Sequence, residues 1–160
     1  MLKFRSDIDS IAQILNLKDH ILNKSPIKVV VFDLDGTLVD TLPDMLHALN
    51  GALAQLGFPP VAAGDMRAAT NEGLAGMARQ ALRLHGAPSR YRRDLLDRFQ
   101  QCYAHRLCAD SRAFQGARAL LQALTARGVT CALCTNKPEA LAVGLVQSLG
   151  LRPYLPVVVG

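Results

Sequence analysis

Two carboxylates separated by one residue, Asp33 and Asp35, stand at the end of the apolar run Val29-Val30-Val31-Phe32. In an extended segment the side chains at i and i+2 point to the same side, so both carboxylates can converge on one small volume. Carboxylates that close repel each other and cannot both stay ionised without a compensating cation. A hard divalent ion with oxygen ligands, Mg²⁺ before others, resolves that conflict. Asp33 and Asp35 are therefore candidate metal-binding and catalytic residues. Gly36 follows, and glycine lets the chain leave a strand through backbone angles that other residues resist. A second candidate lies in Thr135-Asn136-Lys137-Pro138, just after the apolar run 129–134. A hydroxyl at the carboxyl end of a strand, followed by a helix opening at Pro138, offers an anion Thr135 Oγ1 together with free backbone N–H groups.

These groups need elements to position them. Four consecutive apolar residues, three of them β-branched, predict a short strand over 29–32, buried on both faces as in a parallel sheet. In open parallel sheets the ligand crevice lies beyond the carboxyl ends of the strands, where Asp33 and Asp35 fall. Thr41-Leu42-Pro43-Asp44 reads as a helix start, with Thr41 as N-cap, Pro43 in the first turn and Asp44 as capping acid. Met45, Leu46, Leu49, Leu53 and Leu56 supply its apolar stripe, and Gly57 ends it. Further helices are expected over 68–84, 92–107, 117–124 and 139–150, a second strand over 129–134, and a third strand over 155–159. Strands alternating with helices give an α/β fold with a parallel sheet.

Half of the 160 residues are hydrophobic, with five Phe, three Tyr and no Trp, which suits an aliphatic core in one domain. No apolar run approaches the roughly 20 residues a membrane span needs. Arg5, Asp7, Asp9, Lys18 and Asp19 interrupt any apolar region of a secretory signal. The expected location is the cytoplasm, with no membrane partner. Cys131 and Cys134 have C-x-x-C spacing, but in a strand i and i+3 face opposite ways, so the pair reads as two buried thiols. Cys102 and Cys108 lie in a helical stretch without a His at ligand spacing, and all four cysteines read as structural. The net charge of +5 comes from arginines scattered along helices, densest at Arg90, Arg92, Arg93 and Arg98, with Arg79, Arg83 and Arg106 nearby. A solvated helix face is the simpler account; a positive lid that draws in a phosphorylated anion is the functional one. No motif or interleaved aromatics point to nucleic acid.

The first 26 residues differ from the rest. Ile8, Ile11, Ile14, Ile21 and Ile27 are the only isoleucines, and four of the five lysines also lie within the first 28 residues. Ile8, Ile11, Leu15 and Leu22 follow helical spacing after a plausible cap at Ser6. A leader of separate origin and a native extension packed on the core both account for this.

The string Asp33-Leu34-Asp35-Gly36-Thr37-Leu38-Val39-Asp40 resembles the D-x-D-x-T/V motif of the haloacid dehalogenase-like hydrolase superfamily, and Thr135 resembles its second motif, a Ser or Thr. With T-L-P-D at 41–44 and T-N-K-P at 135–138, the chain is most similar to the phosphoglycolate phosphatase group, and β-phosphoglucomutase-type mutases share the same body. The resemblance covers residues 27–160. It implies a three-layer, Rossmann-like parallel sheet with an inserted helical cap: core over 27–43 and 114–160, cap over 44–113, and a leader or extension over 1–26. It further implies that Asp33 attacks phosphorus to form an aspartyl-phosphate, and that Asp35 protonates the leaving oxygen and then activates water. Mg²⁺ would be bound by the Asp33 carboxylate and the Asp35 backbone carbonyl, with Thr135, Asn136 and Lys137 contacting phosphate and substrate. A covalent intermediate splits a hard displacement in two, and the metal neutralises charge on the moving phosphoryl group. The implied function is Mg²⁺-dependent hydrolysis of a small phosphate monoester, the partner being a small phosphorylated metabolite. Asp35 argues against a dehalogenase, which needs no proton donor, and Gly36 argues against the ion-pumping ATPases, which carry Lys there.

Three departures qualify this. Arg67-Ala68-Ala69-Thr70-Asn71-Glu72-Gly73 resembles the cap loop R-x-x-V-G-x-G with Asn71 in place of a Gly, and Asn tolerates the left-handed conformation best among the others. Phe114-Gln115-Gly116 lacks the usual Pro before Gly. The Lys ahead of a fourth strand and the G-D-x-x-x-D stretch after it have no counterpart, because the sequence reaches Gly160 within the third strand. The C-terminal strands are thus expected to be missing, the 29–32 strand to have an open edge, and turnover to be impaired. The alternative of another class is a catalytically inactive fragment or interaction module; a β-phosphoglucomutase-like phosphotransferase stands third.

Overall fold

The computed structural model describes residues 27–160, so the readings made on residues 1–26 lie outside the described residues. The elements in chain order are β1 (Val29–Phe32), β2 (Val39–Asp40), α1 (Leu42–Gln55), α2 (Ala63–Met66), α3 (Gly73–Leu84), α4 (Tyr91–Ala104), β3 (Arg112–Ala113), α5 (Ala117–Ala126), β4 (Thr130–Cys134), α6 (Glu139–Ser148) and β5 (Val157–Val159). Two 3-10 turns, Ala69–Glu72 and Arg152–Tyr154, complete them.

The β-branched and apolar runs form a parallel sheet in the order β1-β4-β5. Val29 lies opposite Thr130 and Phe32 opposite Leu133, while Ala132 lies opposite Val157. Alternation along β4 turns Cys131 and Leu133 inward, where they join Leu121 of α5 and Leu145 and Val146 of α6 in one buried cluster. Both crossover helices therefore cover the same face. The other face carries Val29, Val31, Val157 and Val159, which are 49–61% exposed. The expectation that 29–32 is buried on both sides is corrected: β1 alternates between exposed and half-buried residues at the sheet edge. The same alternation leaves Cys134 exposed and Cys131 buried, so only one of the C-x-x-C thiols is in the core. All four cysteines are free.

Helices α1 to α4 form a second cluster. Met45, Leu49 and Leu53 of α1 meet Leu95, Phe99 and Tyr103 of α4, with Met66, Leu74 and Met77 closing the remaining sides. Spacing of three and four residues puts each set on one face. The helix expected over 68–84 is divided. A 3-10 turn runs to Glu72, and α3 starts at Gly73, whose φ of +66° a side chain would resist. The helix expected over 92–107 ends at Ala104.

The chain leaves the sheet through β2 and returns through β3, and the two pair antiparallel with Val39 opposite Ala113 and Asp40 opposite Arg112. Beside this ladder stands Asp44, which is fully buried. Thr41 holds the N-cap position of α1 but makes no side-chain cap bond, and Asp44 is not a capping acid. Its carboxylate instead accepts the backbone N–H of Asp110 at 3.0 Å, and both the N–H and the hydroxyl of Ser111 at 2.7 Å. Arg106 Nε lies 3.5 Å away. A buried carboxylate is stable only when its charge is met by donors, and a returning strand with unpaired N–H groups supplies them.

Two stability measurements check this architecture. Asp44→Ala leaves the donors of Asp110 and Ser111 without an acceptor and is expected to lower the urea-unfolding free energy by about 3 kcal/mol. Leu133→Ala is expected to cost about 3 kcal/mol as a buried truncation, whereas Val157→Ala on the open face should change stability by less than about 0.5 kcal/mol. Equal losses at the two sheet positions would mean both faces are covered.

Candidate active site

Parallel pairing of Phe32 with Leu133 brings the residues that follow both strands to one end of the sheet. Asp33 comes directly after Phe32, and Thr135 comes directly after β4. Partial desolvation pushes the Asp33 carboxyl above its ordinary pKa, while hydrogen bonding from the Leu34 backbone pulls the other way. The Asp35 charge adds to the rise, and the hydroxyls of Thr135 and Thr37 oppose it. The structure thus sets Thr135 beside Asp33.

Asp35 is held by a tight turn. The Leu34 carbonyl accepts the N–H groups of Thr37, Leu38 and Val39 at 3.1–3.2 Å, and the Gly36 N–H donates to Val39 at 2.9 Å. Gly36 takes a φ of +76°, a conformation that favours glycine. Leu34 and Leu38 anchor the turn in the core, which leaves Asp35 buried and Asp33 open.

Lys137, expected to contact substrate, is 1% exposed. Its ammonium lies 3.1 Å from Asp35 Oδ1, donates to the Tyr103 hydroxyl at 3.0 Å, and sits 4.4 Å from the centre of the Tyr103 ring. The reason is enclosure: α4 of the helical layer closes over the strand end, so the side chain meets protein groups on every side described. Burial lowers the Lys137 pKa, and the charges of Asp35 and Asp33 raise it. Burial, with the charges of Asp35 and Asp44 behind it, pushes the Tyr103 hydroxyl well above the usual phenol range. Sequence reasoning missed Tyr103, because it falls in the apolar stripe of α4 and its polar partner is 34 residues away.

Asn136 is exposed and donates through Nδ2 to the Asn71 carbonyl at 3.3 Å. The 3-10 turn therefore rests directly on the strand ends. A Cβ on Gly36 would stand 3.2 Å from Asn71 Oδ1, and one on Gly73 would stand 3.2 Å from the Asn136 carbonyl. Glycine at both positions permits this approach. Among the arginines, Arg79 pairs with Glu72, Arg98 with Asp94, and Arg106 with Asp44 and Asp110.

Among the described residues no group of three His, Cys, Asp or Glu side chains gathers to hold a metal. The available donors are Asp33 and Asp35. Among the described residues Asp35 Oδ1 is buried with no aligned hydrogen-bond donor, its neighbour being the Lys137 ammonium. An all-oxygen donor set with a lone pair to spare suits Mg²⁺, which keeps several waters and uses one or two carboxylates plus substrate phosphate.

Comparison with known proteins places this geometry. The phosphoglycolate phosphatase of Agrobacterium fabrum (strain C58) is 37% identical over 132 residues, covering 81% of this chain and 57% of the relative. That of Caulobacter vibrioides is 36% identical over 133 residues, covering 82% of this chain and 56% of the relative. The chain therefore spans little more than half the length of these curated relatives. The crystal structure of a predicted phosphoglycolate phosphatase from Haemophilus somnus 129pt superposes with a TM-score of 0.77 at 25% identity, over 86% of this chain and 64% of that one. A family profile described as haloacid dehalogenase-like hydrolase matches residues 27–160, taking in the aspartate turn, the helical layer and the threonine after β4. By that match, the chain belongs to the haloacid dehalogenase-like hydrolase family.

Proposed function

We propose that this chain carries the nucleophile half of a phosphatase site that hydrolyses a small phosphate monoester of the phosphoglycolate kind. The observation that carries the reading is the parallel pairing of β1 with β4, which stands Asp33 next to Thr135 at one sheet end. In this reading residues 44–113 are the cap over a core of 27–43 and 114–160, and the protein works in the cytoplasm on a small phosphorylated metabolite.

An Asp33 oxygen attacks phosphorus, the bond from phosphorus to the leaving oxygen breaks, and Asp35 gives that oxygen a proton. Water then attacks the phosphorus of the aspartyl-phosphate, Asp35 takes the proton back, and phosphate leaves with the Asp33 carboxylate restored. Thr135 Oγ1, which accepts the Lys137 backbone N–H at 3.3 Å, the Asn136 backbone N–H and the exposed Asn136 amide orient the phosphoryl oxygens. Mg²⁺, bound by Asp33 and the main-chain carbonyl of Asp35, would neutralise charge on the transferred group. The 3-10 turn lies against Asn136 beside the crevice, while Asp33 stays open to an incoming phosphate ester.

Phosphate release from phosphoglycolate and from p-nitrophenyl phosphate in excess Mg²⁺ tests this. Asp33→Asn is expected to abolish release, and Thr135→Ala to reduce it by about 10²-fold, the usual loss for one oriented donor. Chelation with EDTA should stop it. Release that survives Asp33→Asn would overturn the reading.

A further inference from the structure

The least expected group in the crevice is Lys137. A lysine that is 1% exposed has given up nearly all of its hydration, and such a charge is stable only where opposite charge or strong acceptors replace the water. Three groups do so here. Asp35 Oδ1 is at 3.1 Å, the Tyr103 hydroxyl accepts at 3.0 Å, and the face of the Tyr103 ring stands 4.4 Å away. The Asp33 charge is near enough to act on the same ammonium. On the other side of the contact, Asp35 Oδ1 is buried with no aligned donor among the described residues, and the Lys137 ammonium is the charge set against it. Two carboxylates at i and i+2 require positive charge, and this chain supplies one from its own side chains.

We propose that the Lys137 ammonium, tethered to the helical layer by Tyr103, is the resident counter-charge of the Asp33–Asp35 pair, and that a divalent cation entering the crevice binds in competition with it. This rests on the reading of Asp33 and Asp35 as the site's acids. Lys137 is thereby a positioning residue. It fixes the Asp35 carboxylate through Oδ1 and links that carboxylate to α4, so the seating of the helical layer and the charge balance at the strand ends are one property. Tyr103 matters for its oxygen as well as its ring. Its hydroxyl accepts a hydrogen bond from the ammonium, which restrains Nζ from swinging away when a cation enters.

Mg²⁺ titration by calorimetry, with thermal unfolding at matched ionic strength as a second readout, tests this on the full 160-residue chain. Lys137→Met is expected to bind Mg²⁺ at least about tenfold more tightly than the unmodified chain, since a like charge within one side chain's reach strongly opposes a cation in a partly buried site. Its midpoint should rise more with Mg²⁺ than that of the unmodified chain. Tyr103→Phe, which keeps the ring and loses the acceptor, should bind about two- to threefold more tightly. A purely packing role for Lys137 would lower the midpoint in both variants without changing the response to Mg²⁺. If Lys137→Met is unfolded without Mg²⁺ and folds with it, the proposal is supported; if it stays unfolded throughout, the affinity of Tyr103→Phe decides. Affinity unchanged or weakened in the folded variants, including no binding to any of them, overturns the proposal. A failure here with phosphate release intact leaves the phosphatase reading standing, and tighter Mg²⁺ binding without phosphate release does the reverse.

Discussion

The Asp44 carboxylate fastens the point where the chain leaves the sheet to the point where it returns. Its bonds to Asp110 and Ser111 span 66 and 67 residues of sequence. The β2–β3 ladder lies alongside and is only two residues long on each strand. Without the clasp, that short ladder would be the main fixture between the helical layer and the sheet. With it, the layer is seated in one register, and everything at the strand ends follows. Tyr103 reaches Lys137, Asn71 reaches Asn136, and both glycines come against their neighbours because α1 starts, and α4 ends, beside a fixed base.

The charges in the crevice are balanced by position more than by number. Removing Lys137 and Asp35 from water is costly, and their mutual attraction returns only part of that cost. The pair is better understood as a device that selects one arrangement: an ammonium with one carboxylate oxygen, one phenol oxygen and one ring face has few alternative places to go. Asp33, by contrast, stays open to solvent at the same sheet end. Two acids with the same chemistry thus hold different surroundings, one enclosed and paired, the other accessible, which is the asymmetry that separate nucleophile and proton-carrier roles would use.

Local chemistry was legible in the sequence where it is carried by neighbours in the chain. The aspartate turn, the strand at 29–32 and the helix ending at Gly57 depend on residues a few positions apart, and each was readable. The faces of the sheet were not. A run of three valines and a phenylalanine is as compatible with one covered side as with two, and only the placement of α5 and α6 distinguishes them. Asp44 looked like a helix cap because its partners lie far along the chain. Asn71-Glu72-Gly73 continued a helical pattern, yet Gly73 breaks the helix because the chain there must lie against Asn136. Tyr103 carried no signal, since a tyrosine in an apolar stripe is ordinary until something polar is found at its hydroxyl.

The two clusters differ in how far apart their members are along the chain. The helical cluster is drawn from one continuous stretch, Leu42 to Tyr103, whereas β1 has its partner in β4, with Val29 opposite Thr130. A chain made from its N-terminus thus completes the helical stretch while β1 is still unpaired. At synthesis rates of about 5–20 residues per second, β1 waits roughly 5–20 s for its partner to appear. Contacts close in sequence form sooner than those that must first close a long loop. The insertion, nominally an accessory to the sheet, is therefore the part positioned to fold first, and it holds the two connecting strands together as a template on which the sheet is later assembled.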